Sequence, residues 1–444
     1  VTGAPVIVLF NRDLRVHDHP ALHAAAADGP VVPLFVTDPR ILRRAARNRI
    51  RHLCEALADL RTALRARGGE LFVREGETVP EALRTAAATG ARAVFATADV
   101  SDAARRRERA LAEEGRRAGV EFRAFPGATV VPPGAITPAG GGHYRVFTPY
   151  LRAWERTGRR PVLPAPDRVA VPEGLPSGEL PGPDAVRRGR GALSPEVPRG
   201  GEEPARARLR AWSEGPLSDY GDRRDLLAAD ATSRLSADLR FGCLSPLEVA
   251  EEARGRPGAD AFVRQLAWRD FHHQVAADFP GIARRDYRPR GTAWRDDPGG
   301  LEAWREGRTG IPIVDAGMRQ LLREGFMHNR ARMLTAAFLT RGLRVHWRRG
   351  AEHFHDLLLD GDIADNHGNW QWVAGTGNDT RPNRRTNLLR QARRFDPDGT
   401  YVRRYLPELA GLPGGRAHTP WAEQDPPADY PPPLLDPSEG LGGD

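Results

Sequence analysis

The first 125 residues alternate between two periods, and this restricts the possible folds more than any other feature of the chain. Apolar runs at Val6–Phe10, Val31–Val36, Glu70–Arg74, Ala93–Thr97 and Val120–Phe125 have the length of strands. Amphipathic stretches lie between them. One carries Ile50, Leu53, Cys54, Leu57, Leu60 and Leu64, spaced to fall on a single helix face. Strands separated by helices predict an α/β N-terminal domain with a five-stranded parallel, Rossmann-like sheet covered on both faces. Such sheets bind ligands at the carboxyl ends of their strands, yet the loop after the first run reads Asn11-Arg12-Asp13-Leu14-Arg15. With no G-x-G-x-x-G there, a nicotinamide dinucleotide is not expected, and the absence of G-x-x-x-x-G-K-[S/T] removes P-loop nucleotide hydrolases.

The texture changes at Pro126. The stretch from Pro126 to Pro204 holds 15 of the 39 prolines, the glycine run 140–142 and a basic cluster at Arg187–Arg190. Pro and Gly at that density sustain neither a sheet nor a long helix, so 126–203 is predicted to be an interdomain connector with a short helical piece around Tyr150–Trp154. Beyond Glu203 the pattern is helical, as in Leu321, Leu322, Phe326, Met333, Leu334, Ala337 and Phe338. The expected organisation is an α/β domain over 1–125, the connector, a mainly α-helical domain over 204–410, and a loosely packed tail over 411–444.

Composition narrows the function. At 40% hydrophobic and 28% charged, the chain is neither disordered nor a membrane protein, since its apolar stretches are strand-sized. Val1–Pro5 has no basic region before an apolar core, from which a cytoplasmic protein is expected. Cys54 and Cys243 are too few for a disulfide framework or an iron–sulfur cluster. Net charge is +8 and all 66 basic residues are arginines, a bias that compositional drift explains but that also raises the prospect of a nucleic-acid partner.

Three segments carry more specific chemistry. Tyr220-Gly-Asp-Arg-Arg-Asp225 and Thr232-Ser-Arg-Leu-Ser236 gather hydroxyls and amides before the helix expected after Leu244-Ser245-Pro246, suited either to a pyrophosphate or to ordinary helix capping. Gln265, Trp268, Arg269 and His272 share one helix face, too polar for a core. The third runs from Gly310 to Trp372 and places Asn329 and Met333 on one face with Arg332 beside them. Asp360 and Asp362 could be a metal pair, but no ligand spacing supports one; pairing of Asp360 with Arg332 is the simpler reading, and no metal is expected. Seven of the nine tryptophans lie between Trp212 and Trp372, which by itself indicates core.

Over Val6 to about Leu409 the chain resembles the DNA photolyase and cryptochrome family, most specifically in Thr232–Ser236, Trp268-Arg269, Gly310–Arg319, Met327–Met333 and Asp360–Trp372. The resemblance implies a helical C-terminal domain that binds FAD, and light-driven splitting of cyclobutane pyrimidine dimers in ultraviolet-damaged DNA. The nearest pattern is that of class I deoxyribodipyrimidine photo-lyases, acting as monomers. It implies FAD contacts at Tyr220, Thr232, Ser233, Arg234, Leu235, Ser236, Gln265, Arg269, Asn329, Arg332, Asp360, Gly361, Asp362 and Asn366, with Asn366 facing the ring nitrogen N5. Asn rather than Asp there leans toward repair rather than animal-type signalling.

By the same resemblance, Trp370, Trp347 and Trp294 match an electron-transfer chain, with three core tryptophans as the alternative. The lesion cavity is matched by Gln265, Trp268, Asn329, Met333 and Trp372, and phosphate contacts by Arg224, Arg269, His272, Arg330 and Arg385. Photolyases are themselves among the established base-flipping enzymes. Six arginines and no acid lie between Arg381 and Arg394, which suits either DNA or a solvated loop. Gln265 departs from the glutamate usual in cyclobutane enzymes: an amide keeps the hydrogen bond and loses the acid. Phe262 and Phe326 replace family tryptophans. Asp99 and Arg240 suggest an antenna chromophore, 8-hydroxy-deazaflavin ahead of methenyltetrahydrofolate, with FMN or an empty site as alternatives; Asn11 replaces the usual basic residue of the first loop. The rival functions are a cryptochrome-like blue-light sensor and a (6-4) photoproduct photolyase.

Overall fold

In a computed structural model, which describes residues 3–381, 385–437 and 441, the five apolar runs are strands: β1 (Val6–Phe10), β2 (Val31–Thr37), β3 (Phe72–Glu75), β4 (Ala93–Thr97) and β5 (Glu121–Phe125). They form one parallel sheet in the order β3-β2-β1-β4-β5. β1, β2 and β4 are buried throughout, as strands covered on both faces must be, whereas the edge strand β5 is largely exposed. Ile7, Leu9, Val32, Leu34, Phe72 and Val94 pack with Ala82, Ala86 and Leu111 from the helices Thr78–Thr89 and Asp102–Arg117. On the helix Arg47–Arg65, Ile50, Leu57, Leu60 and Leu64 are buried, while Leu53 and Cys54 are only half-buried. Strand order reverses between β1 and β4, which opens a crevice at their carboxyl ends.

Contacts divide the chain into two compact units that do not follow chain order: 1–191 with 198–218 and 233–281, and 192–197 with 219–232 and 282–444. This division differs from the compositional one at residue 203, because the helices Pro246–Ala253 and Ala259–Asp278 cluster with the sheet. The loop after β1 holds the segment before them. Leu14 N–H donates to Phe241 O and Arg12 Nε to Arg240 O, and a Cβ on Gly242 (φ 66°) would lie 2.1 Å from Arg12 O. The Pro/Gly-rich stretch contains the expected short helix, Phe147–Arg156. It also runs back along the sheet: Val31 N–H bonds Ala170 O, and Val73 N–H bonds Ser177 O. Asp270 anchors it, with a buried carboxylate that accepts the N–H groups of Val130, Val131 and the Trp154 indole.

The second unit is helical, with a core built on Trp304, Met318, Phe338, Trp347, Phe354, Trp370 and Tyr401. Here the expected loose tail needs correction. Ala417, His418 and Tyr430 are buried, Leu434 N–H bonds Thr309 O, and Tyr430 Oη donates to Asp315 at 2.6 Å. Asp315 is fully buried, and a carboxylate taken out of water needs such donors; the tail supplies one, and Thr309 and Gly310 supply others. Among the described residues no helix is long and apolar enough to cross a membrane.

Candidate functional site

In the second unit, Arg332 and Asp360 form a bidentate ion pair at 3.2 and 2.8 Å, and Arg332 Nε also bonds Met327 O. Asp360 is thus paired with Arg332, as expected. Asp362 is committed as the cap of the helix Ile363–Ala374, accepting Ala364 and Asp365 N–H at 2.8 and 3.1 Å, with buried Gly361 before it. One turn into that helix, buried Asn366 donates from Nδ2 to Ala351 O. Asp360 is thereby neutralised and one Asp362 oxygen is satisfied, which suits a ring with a polar edge. The buried Thr232 Oγ1 has no hydrogen-bond partner among the described residues, as suits a hydroxyl that would bond a phosphate oxygen. The residues thus fit a flavin nucleotide.

The segment around Thr232 departs from expectation in one respect. A short helix, Ser236–Phe241, starts directly after it, whereas Ser245 is an ordinary cap of Pro246–Ala253, bonded to Glu248 N–H. Arg234 stands at φ 52°, and Ser233 Oγ accepts Leu235 N–H at 3.4 Å. A non-glycine residue in the left-handed region costs of order 1–3 kcal/mol, so the turn is held by its surroundings. Tyr220 is buried beneath the guanidinium of Arg224, 5.8 Å from the ring centre.

The three tryptophans matched to an electron-transfer chain all lie in the second unit. Trp347 opens the helix Trp347–Leu357 and Trp370 lies on Ile363–Ala374. Gly350, one turn beyond Trp347, approaches so closely that a Cβ there would sit 2.2 Å from Trp370 Cη2. Arg295 N–H bonds Arg344 O and draws Trp294 beside the same segment. The His346 ring lies 5.0 Å from Trp294 and 5.7 Å from Trp347, between centroids. Trp370 and Trp347 are buried, and Trp294 is half-buried. Sequence reading missed Trp304, edge-on to Trp370 at 6.0 Å; it also missed Asp286, which accepts the Trp347 indole N–H at 2.8 Å. The only sequence sign of these close approaches is Gly350 at i+3 from Trp347. Asn329 and Met333 share a face as expected, with Nδ2 4.0 Å from the Met sulfur; Asn329 is exposed and Met333 and Trp372 are half-buried.

In the first unit, Gln265 bonds only its own helix, to Ala261 O at 3.3 Å. Trp268 has one face stacked on Phe147, with ring centres 3.6 Å apart and planes at 7°. His272 was expected to meet phosphate, but it is 3% exposed and packed against Trp268 and Phe271, so it presents no surface to DNA. Arg269 turns inward. It donates to Ala128 O and lines a pocket at the carboxyl ends of β1 and β4 with Asn11, Arg12, Thr97, Ala98, Asp99, Leu239 and His273. Asp99 is in this wall, paired with Arg12 at 3.2 Å. Arg240 is not part of the lining: its guanidinium lies over Phe241, and its carbonyl accepts Arg12. Phe262 packs on Trp212 in place of the family tryptophan.

Among the remaining expected phosphate contacts, Arg330 is already held bidentately by Asp225 at 2.9 and 2.8 Å, so an anion would have to compete for it. Arg385 is exposed, as are Arg381, Arg390, Arg393 and Arg394; Arg384, in the same run, lies outside the described residues.

The family model described as the FAD binding domain of DNA photolyase matches residues 262–441, and the one described as DNA photolyase matches 6–169. A deoxyribodipyrimidine photo-lyase of Streptomyces griseus is 51% identical over 98% of this chain and 96% of its own length. The chain belongs to the DNA photolyase family. Solved photolyase-family structures share the whole fold. A bacterial class III photolyase from Agrobacterium tumefaciens is similar at a TM-score of 0.91 and 33% identity, covering 98% of this chain and 95% of its own. A cryptochrome of Synechocystis is similar at 0.89 and 31%, covering 98% of both.

Proposed function

We propose that the protein repairs ultraviolet-damaged DNA by splitting cyclobutane pyrimidine dimers in a light-driven reaction, with FAD as its cofactor. The observation that carries this reading is the 51% identity to a deoxyribodipyrimidine photo-lyase over nearly the full length of both chains. Bound FAD would absorb light and supply the electron that opens the dimer. By resemblance to the family, Tyr220, Thr232, Ser233, Arg234, Leu235, Ser236, Gln265, Arg269, Asn329, Arg332, Asp360, Gly361, Asp362 and Asn366 are the residues we assign to holding it. Asn366, fixed by its bond to Ala351, would offer an uncharged amide to the flavin, one that tolerates both redox states. Trp294, Trp347 and Trp370 carry electrons inward from the surface to restore the reduced cofactor.

By the same resemblance, Gln265, Trp268, Asn329, Met333 and Trp372 are assigned to the flipped lesion. Trp268, braced from behind by Phe147, offers a flat apolar wall for a base. Arg224, Arg385 and the arginines of the helix Leu388–Phe395 meet phosphates. Asp99 is our candidate contact for an antenna chromophore, of which 8-hydroxy-deazaflavin is our choice; the pocket it borders, about 10 Å³, would have to open to take one. Asn329 and Met333 favour the cyclobutane lesion over the (6-4) photoproduct. The test is restoration of thymines in two oligonucleotides, one bearing a cyclobutane dimer and one a (6-4) photoproduct, by reduced FAD-loaded protein under blue light and in darkness. Light-dependent repair of the first alone is the expected result. Repair of the second alone would reverse the lesion assignment, and repair of neither would make the protein a light sensor.

A further inference from the structure

The indole N–H of Trp347 points at the carboxylate of Asp286, 2.8 Å away. The ring is 0% exposed, while Asp286 lies on the partly exposed segment that follows Ile282. That segment is strapped to the helix carrying Trp370 by the neighbouring residue, Gln371, which is 1% exposed. Gln371 Nε2 donates to Ile282 O and Arg285 O at 2.8 and 3.0 Å, and its Oε1 accepts Tyr287 N–H at 2.7 Å. Arg288 N–H closes the strap on Thr376 O. One side chain thus fixes the carboxylate relative to both buried indoles of the relay.

We propose that Asp286 is a positioning residue of the electron relay that makes Trp347 easier to oxidise than Trp370, so that the hole moves outward from Trp370 to Trp347. The inference rests on the relay reading of Trp294, Trp347 and Trp370. An indole that loses an electron becomes a cation whose N–H is a far stronger donor, so a hydrogen bond to a carboxylate strengthens just as the charge forms. Because the strap holds the carboxylate in place beforehand, no reorganisation is required at that moment. The surrounding segments carry Arg284, Arg285, Arg288, Arg348 and Arg349, whose charges oppose a positive hole. A carboxylate in direct contact outweighs them, since their charges lie on long side chains at the surface, where solvent and salt screen them. The step balances within the chain. Trp370, having given one electron to photoexcited oxidised flavin, takes one electron from Trp347; Trp370 returns to its neutral form, and Trp347 is left as a radical cation whose Nε1 proton remains in the bond to Asp286. Trp294 then refills Trp347.

The test uses the full FAD-loaded chain, with variants checked for folding by their flavin absorption. Asp286→Asn should slow photoreduction of the oxidised cofactor under blue light and an external reductant by about tenfold, the equivalent of one charged hydrogen bond. Asp286→Ser, which removes the charge without adding an amide, should behave alike, and Asp286→Glu should restore most of the rate. In the dark, the Trp347 indole nitrogen resonance, assigned by its loss in Trp347→Phe, should be displaced in Asp286→Asn and Asp286→Ser and lie near its parent position in Asp286→Glu. An unchanged rate in Asp286→Asn beside a slow Trp347→Phe overturns this inference alone. An unchanged rate in Trp347→Phe overturns the relay reading and the inference with it, and an indole resonance indifferent to Asp286 overturns the hydrogen bond on which it stands.

Discussion

Trp370 sits in a space that one added methyl group would close, because Gly350 and Leu339 pack directly on its ring. A Cβ on Gly350 would lie 2.2 Å from Trp370 and 2.6 Å from Leu339, so Gly350→Ala should cost about 1–3 kcal/mol of stability by overpacking and slow cofactor photoreduction by displacing the ring. Chemical unfolding and photoreduction, measured together, check this; unchanged values for both would mean that the two helices yield freely. Trp370→Phe should abolish photoreduction of oxidised FAD yet leave repair by pre-reduced protein nearly intact, as single-turnover repair after chemical reduction would show. For Gln265→Glu, faster cyclobutane repair is expected, since the present amide bonds only Ala261 and cannot protonate a lesion. A slower rate would mark the glutamine as tuned. At this scale the chain sequence pointed to the tryptophans by type and motif. It could not point to Asp286, because nothing local distinguishes an aspartate in an arginine-rich loop until another helix brings an indole to it.

The helix Leu388–Phe395 buries Leu388, Ala392 and Phe395 and turns Arg390, Arg393 and Arg394 to solvent. Its first turn is closed by Asn387, whose side chain accepts Arg390 N–H. With its apolar stripe spent on the core, the arginine face is free for a polyanion, and replacing all three arginines by Gln should weaken binding to undamaged duplex. The slope of log affinity against log salt should fall by about 0.9 for each arginine that meets a phosphate. A slope equal to that of the parent would make the face a solvated one. The cluster of arginines was legible from charge pattern alone, but that part of it forms a helix with a buried apolar stripe was not. Arg330 and His272 were not, because Asp225 claims the first and the helix Ala259–Asp278 buries the second. Which side of a helix is covered, and which cation already has an acid, are settled by neighbours remote in sequence.

Across the whole molecule, buried imidazoles and carboxylates shape the response to acid. Burial pushes His52, His328 and His353 from about 6.5 down to about 4. Each is neutral in the fold where the unfolded chain already binds a proton, so each contributes stability above pH 6.5 that is lost as pH falls toward 4. Asp270 acts in the opposite sense: burial outweighs its three N–H donors and raises it from 3.8 to about 6, so its contribution grows as pH falls through that window. Asp59, Glu108, Asp238, Glu248 and Asp315 are raised as Asp270 is, and His346 and His367 are lowered as the three histidines are, so the two senses oppose one another and a single ring isolates its own share. A shift of about two units corresponds to about 3 kcal/mol at most, so His353→Phe should lessen the loss of stability between pH 6.5 and 4.5, read as the denaturant midpoint; an unchanged pH dependence would mean that this ring protonates without opening the fold. Sequence by itself determined the parallel sheet, the helical second half and the residue types of the site, since period and motif are local properties of the chain. Tertiary structure alone decided that the tail is anchored by Tyr430 on Asp315, that Arg269 faces the sheet crevice, and that Gln371 holds Asp286 against Trp347. Each of these joins groups that lie dozens of residues apart or more, and their pairing is set by burial and by the need to satisfy buried polar atoms, which no local pattern encodes.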